Sequence, residues 1–146
     1  MRGSTRGSSR TGSRRLVMDT GAIMAGLPLS VPGIHATTPS VVGEVRDRES
    51  RRILEDSLAY GRLEVLEPGP EALEEALRAA RRAGVHGRLS RTDLEVLALA
   101  IELGAPVATD DYALQLACEE AGVGFVRVRY RGIRRGRGSR ASAGTP

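Results

Sequence analysis

Apolar positions are most densely ordered between residues 90 and 112, SRTDLEVLALAIELGAPVATDDY. Leu94, Leu97, Ala98 and Ile101 recur at i, i+3, i+4 and i+7, the spacing of one helical face. Val96, Leu99, Ala100 and Leu103 extend the apolar surface almost all round, which predicts a helix lying deep in the fold. Gly104 stops it, and residues 106–109 form a short, mostly apolar run suited to an inner strand.

The same reading extends in both directions. Residues 16–18 predict a buried strand closed by Asp19, followed by a short helical segment over 20–26 and a loop over 28–36. Thr38-Pro39 reads as a helix start, with threonine as cap and proline in the first turn. That helix runs through Val41, Val42 and Val45 and carries Glu44. A second helix over 47–60 ends at Gly61, and residues 63–66 alternate in strand fashion. Pro70 opens a helix whose apolar face is Leu73, Ala76, Leu77 and Ala80, and residues 83–89 form a loop. A helix follows Asp111 as far as 120 or 121, Gly122 closes it, and residues 124–129 supply a last strand. Strands alternating with helices predict an α/β fold: a central, mostly parallel sheet with helices on both faces.

Length allows one domain plus tails, drawn as a disordered basic arm at 1–14, a folded domain at 15–130 and a disordered Arg/Gly/Ser tail at 131–146. Charge is divided along those boundaries. Residues 1–15 carry five arginines and residues 127–146 seven, with no acid in either segment. The body between holds all eighteen acids against ten arginines, so it is acidic while the chain as a whole is +4. Basic arms around an acidic body suit a polyanionic partner that must meet an acidic centre; arginine grips phosphate by charge and bidentate hydrogen bonds. Four aromatic residues are too few to make base stacking the main binding device. One cysteine, Cys118, leaves no internal disulfide and no zinc finger or ribbon. No apolar run approaches the roughly 20 residues of a membrane helix, and no signal peptide is visible. A soluble cytoplasmic protein is the expectation.

The acids have a pattern of their own. Asp19 ends one strand, Asp110 and Asp111 end another, Asp93 opens a helix and Glu44 sits one to two turns into another. Ligands of open parallel sheets bind beyond the carboxyl ends of the strands. Crowded carboxylates repel one another unless a cation neutralises them. Oxygen-only ligands without nearby His or Cys favour Mg²⁺ or Mn²⁺ over zinc, and such an ion suits phosphodiester hydrolysis. Each acid also has a structural use: Asp93 completes S-x-x-D with Ser90, and Asp110 or Asp111 can cap the next helix. The string Asp19-Thr20-Gly21-Ala22 matches the D-T-G-A of aspartic proteases, but those are β-rich and this chain is dominated by helices. His35 and His86 lie in expected loops, where surface and substrate-contact roles are both open.

With these residues placed, the sequence resembles PIN-domain nucleases over about residues 15–130. The pattern is Asp19-Thr20 after the first strand, Glu44 in TTPSVVGEVRD, Asp93 opening the late helix, and Thr109-Asp110-Asp111 after the next strand. Within that family it looks most like the archaeal Nob-type endoribonucleases, through TTPSVVGEVRDRESR, LSRTDLEVLALAIELG, VATDDYALQLA and YRGIRR. The resemblance implies a PIN-like three-layer sandwich in which Asp19, Glu44, Asp93 and Asp110 or Asp111 hold Mg²⁺ or Mn²⁺. Thr20 and Thr109 would orient carboxylates, and Arg46, Arg48, Arg51, Arg88, Arg91, Arg131, Arg134 and Arg135 would grip RNA. It also implies cleavage of single-stranded RNA, leaving 3′-hydroxyl and 5′-phosphate ends, at the 3′ end of small-subunit (16S-type) ribosomal RNA in a pre-ribosomal particle. A homodimer is expected because PIN-like folds often pair. The sequence departs in one respect: Nob-type proteins usually continue into a four-cysteine zinc ribbon, and this sequence has only Cys118. Two other readings remain, a toxin-type ribonuclease restrained by an antitoxin and a catalytically silent RNA-binding scaffold.

Overall fold

The computed structural model describes residues 15–129. The expected basic arm at 1–14 and the tail at 131–146 lie outside the described residues. Element order is β1 (Val17–Met18), α1 (Thr20–Met24), α2 (Leu27–Ser30), β2 (His35–Thr37), α3 (Pro39–Glu44), α4 (Arg48–Ala59), β3 (Leu63–Val65), α5 (Pro70–Arg82), a 3₁₀ turn (His86–Arg88), α6 (Arg91–Leu103), β4 (Val107–Ala108), α7 (Tyr112–Ala121) and β5 (Phe125–Val126). The five strands pair in the order β3-β2-β1-β4-β5, and every pairing is parallel. Val17 aligns with Ala36 on one side and Val107 on the other, and both residues of β1 are wholly buried.

Helix ends follow the local chemistry of the sequence. Thr38 caps α3, its Oγ1 accepting from Val41 N–H at 3.3 Å with proline in the first turn. Asp47 caps α4 and Asp111 caps α7 through the N–H groups three residues on. Gly104 and Gly122 end α6 and α7 at φ of 65° and 74°, a left-handed conformation that side chains other than glycine rarely adopt. Helix α6 is as deep as its pattern predicts, with Val96 to Ala100 all buried. It packs on β1 and β4 and against α5 and α7, while α1, α2 and α4 pack on one another.

Two stretches differ from expectation. Residues 28–36 are not a loop throughout: 27–30 form α2 and 35–37 form β2, paired on both sides. Proline and glycine punctuate that segment, yet strand order places it beside the central strand. His35 is accordingly buried; Leu16 N–H donates to its Nδ1 at 3.0 Å and its Nε2 donates to Val31 O at 2.9 Å. Burial also holds its pKa below the usual value. The last strand is shorter than 124–129, because beyond Val126 the backbone N–H groups of Val128 and Arg129 turn to Asp110 Oδ1 at 2.8 and 3.2 Å. None of the described helices is long and apolar enough to cross a membrane.

Candidate active site

Strand order reverses between β1 and β4: from the centre the chain first builds β2 and β3 on one side, then returns to add β4 and β5 on the other. Ligand crevices of open α/β sheets form at such a point, outside the carboxyl ends of the strands. Asp19 leaves β1 there and Thr109-Asp110-Asp111 leave β4. The two strand ends are tied together there, Asp19 N–H donating to Ala108 O at 3.4 Å. Helix α6 ends just before β4, so its first turn, with Asp93, comes up at the same edge.

The acids are electrostatically one connected set. Burial raises the pKa of Asp19, hydrogen bonds from the Thr109 side chain and Ala22 N–H oppose the rise, and the charges of Asp93 and Asp110 add to it. Asp93 is also raised, first by burial and further by Asp111 and Glu44, against the hydrogen bonds of Ser90. Asp19 and Asp93 thus each stand within reach of other acids selected from sequence. Both selected threonines touch a candidate carboxylate. Thr20 Oγ1 donates to Glu44 Oε1 at 2.8 Å, and Thr109, bonded to Asp19 through its side chain, accepts from Asp111 N–H at 3.0 Å.

The structural uses of these acids are realised as well. Asp19 Oδ1 accepts from Ala22 N–H at 2.7 Å, Asp111 Oδ1 from Leu114 N–H at 3.2 Å, and Asp93 completes a reciprocal capping box with Ser90 at 2.9 and 3.0 Å. Asp110 holds the exit of β5 through one oxygen, and its other oxygen lies 3.9 Å from Arg129 Nε. Capping and ligation are thus compatible, since a cap uses one carboxylate oxygen and leaves the other. Among the described residues no three His, Cys, Asp or Glu side chains already stand together as a metal cage. The donor chemistry nevertheless fits a hard divalent cation: oxygen only, partly desolvated and mutually repelling.

The arginines singled out from sequence are dispersed. Arg91, two residues before Asp93, pairs with Glu95 at 3.0 Å; Arg46 Nε donates to Gly43 O at 3.3 Å beside Glu44. Arg48 and Arg51 line a shallow depression on α4 with Arg52, Glu55 and Asp56, and Arg88 lies in the 3₁₀ turn. Arg131, Arg134 and Arg135 lie outside the described residues. Sequence reading passed over Glu95, which joins α6 to α3 by accepting from Ser40 Oγ at 2.5 Å. It also passed over Tyr112, which lines a cavity beside Asp110 with Arg127 and Arg129, two arginines that sequence reading had counted only as part of a basic arm.

Against known proteins, the family described as the PIN domain of ribonuclease matches residues 16–103, a span that includes Asp19, Glu44 and Asp93. The protein named Ribonuclease VapC3 of Aeropyrum pernix is 56% identical over 137 residues, covering 90% of this chain and 99% of that one. Endoribonuclease Nob1 of Pyrococcus abyssi is 44% identical over 121 residues, covering 83% of this chain and 72% of its own length. The crystal structure of PAE2754 from Pyrobaculum aerophilum shares the fold, with a TM-score of 0.53 at 20% identity over 84% of this chain and 96% of that one.

Proposed function

Because this chain belongs to the PIN-domain ribonuclease family, we propose that it is a metal-dependent endoribonuclease whose site is the acidic edge between β1 and β4. The observation that carries this reading is the gathering of acids at the carboxyl edge of β1 and β4, close enough that the charges of Asp93 and Asp110 act on Asp19 and those of Asp111 and Glu44 act on Asp93. Asp19, Asp93 and Asp111 would hold one or two Mg²⁺ or Mn²⁺ ions through the oxygens their caps do not use, and Glu44 through the oxygen that Thr20 does not engage. A bound divalent ion lowers the pKa of water and clamps the oxygens of an in-line phosphoryl displacement. Thr109 orients Asp19 and the turn into Asp111, and Thr20 steadies Glu44, so that the acids keep their spacing when RNA arrives. Arg46, Arg88 and Arg91 stand near Glu44 and Asp93 in the chain and would draw the phosphate backbone to an edge that otherwise repels it.

The substrate within this reading is precursor small-subunit ribosomal RNA, cut at its mature 3′ end in the cytoplasm by a chain that pairs as a homodimer. Similarity to Nob1 of Pyrococcus abyssi over most of this chain supports it. A second reading, a toxin-type ribonuclease, is favoured by the 56% identity to Ribonuclease VapC3 over nearly the full length of both chains. The deciding measurement is Mn²⁺-dependent cleavage of a short RNA spanning the precursor 3′ end, beside a scrambled RNA and Asp19→Asn. One cut at the mature end, absent in Asp19→Asn, is the expected result. Indiscriminate cutting, with toxicity on expression, would transfer the assignment to the toxin reading. RNA binding with neither cleavage nor Mn²⁺ affinity would leave a silent scaffold.

A further inference from the structure

Beside the acidic edge lies a cavity of about 290 Å³ lined by Asp110, Tyr112, Gln115, Arg127 and Arg129. Asp110 apart, none of these residues belongs to the set of acids at the edge. Three features give it the chemistry of a nucleotide site. Tyr112, the first residue of α7, is 65% exposed, a large aromatic surface left in water directly after the acids. Arg127 and Arg129 are both exposed, flank the buried Val128 and line the same cavity, so two arginines serve one space. Finally, the cavity is built on fixed supports. Asp110 Oδ1 accepts from the N–H groups of Val128 and Arg129, and the buried Gln115 donates from Nε2 to Thr109 O at 3.0 Å. Thr109 is the residue whose hydroxyl touches the acids, so the cavity and the acidic edge share one strand end.

We propose that this cavity is a subsite for one nucleotide of single-stranded RNA adjoining the cut, with its base stacked on Tyr112 and its phosphate held by Arg127 and Arg129. Every base offers a flat π face, so stacking on tyrosine holds a strand without reading its sequence. Guanidinium groups match phosphate in a bidentate manner that lysine cannot. Together they answer a difficulty posed by the acids, which repel the phosphodiester they are meant to receive. Asp110 is then a positioning residue, since its carboxylate fastens the arginine segment to the end of β4. This separates it from Asp111, whose chain leads into α7.

The subsite rests on the nuclease reading, and its test is kept apart from cleavage. Binding of a fluorescein-labelled single-stranded RNA of roughly 8 nucleotides is measured by anisotropy in EDTA, for the wild-type protein, Tyr112→Ala, Tyr112→Phe and Arg127→Gln/Arg129→Gln. Tyr112→Ala should weaken binding about tenfold while Tyr112→Phe stays within about twofold, since stacking needs the ring and not the hydroxyl. The arginine double variant should lower the slope of log affinity against log salt by about 0.7, the value for the one phosphate contact that the two arginines share. An RNA made abasic at each position in turn should abolish, at one position, the difference between wild type and Tyr112→Ala. Equal affinity of Tyr112→Ala and wild type overturns the proposal, as does equal weakening by alanine and phenylalanine. Absence of Mn²⁺-dependent cleavage by the wild type would count against the nuclease reading alone, because the binding assay contains no metal.

Discussion

Asp19 stands in a conflict that its neighbours do not fully resolve. It closes a buried strand and caps α1, and burial together with Asp93 and Asp110 raises its pKa above the ordinary 3.8. A carboxyl raised in the folded state binds its proton more tightly there than in the unfolded chain. Ionising it therefore costs stability; the cost is absent below the unfolded value, grows as pH rises through the folded pKa, and is complete at neutrality. Asparagine caps helices as well as aspartate does and carries no charge. Asp19→Asn should thus melt higher than wild type at neutral pH without divalent cation, and the gain should vanish near pH 3, about one unit below the unfolded value. Mn²⁺ should raise the Tm of wild type and leave that of the variant in place, by linkage of binding to folding. Thermal melts across pH, with and without Mn²⁺, read all of this; a variant no more stable than wild type at pH 7 would remove Asp19 from the repelling set. The acid itself was visible in sequence because an aspartate at the end of an apolar strand needs a partner. Glu95 was not, because in sequence it is one helix glutamate among several, and only α3 lying across α6 supplies its partner Ser40.

At the scale of elements, the capping box of α6 joins stability to the candidate chemistry. Ser90 Oγ accepts from Asp93 N–H while Asp93 Oδ2 accepts from Ser90 N–H, so the carboxylate is held by the same bonds that start the helix. Removing the serine hydroxyl costs about 1 kcal/mol of stability. Ser90→Ala should lower the urea midpoint accordingly and also reduce kcat/KM, because the helix turn that carries Asp93 loses the bond to its backbone N–H, leaving only Ser90 N–H to hold the carboxylate. A stability loss with unchanged kcat/KM would make the box a helix start and nothing more. Cap chemistry of this kind is written in adjacent residues, which is why the helices beginning at Pro39, Arg48, Arg91 and Tyr112 were legible before the fold, while the one at Pro70 was announced by its proline and apolar face. Strand β2 was not, since three residues between a Pro/Gly-rich turn and a threonine cap carry too little pattern to declare pairing on both edges.

Across the whole molecule, charge is arranged as an acidic body with arginine-rich ends. Five of the arginines lie in residues 131–146. Deleting that segment should weaken RNA binding and reduce its salt dependence by a slope of up to about 3.5, near 0.7 per arginine engaged on single-stranded RNA. Anisotropy titrations over a range of salt concentrations measure it, and an unchanged slope would deny the tail any contact with phosphate. The parallel sheet gives the same body its polarity: all five strands point one way, so every strand-end acid emerges at one edge.

Local signals, the period of apolar residues and the caps and stops beside them, were sufficient for most helices, for the α/β class and for placing the five candidate acids at strand ends and on helices, because each depends on residues a few positions apart. What needed the folded chain was adjacency between distant segments. Strand order set β1 beside β4 and so brought Asp19 to Thr109, ninety positions away. The same packing drew Arg129 to Asp110, buried His35 against Leu16 and opened the cavity beneath Tyr112. These contacts arise from which surfaces bury one another, a property of the assembled sheet that no short window of sequence contains.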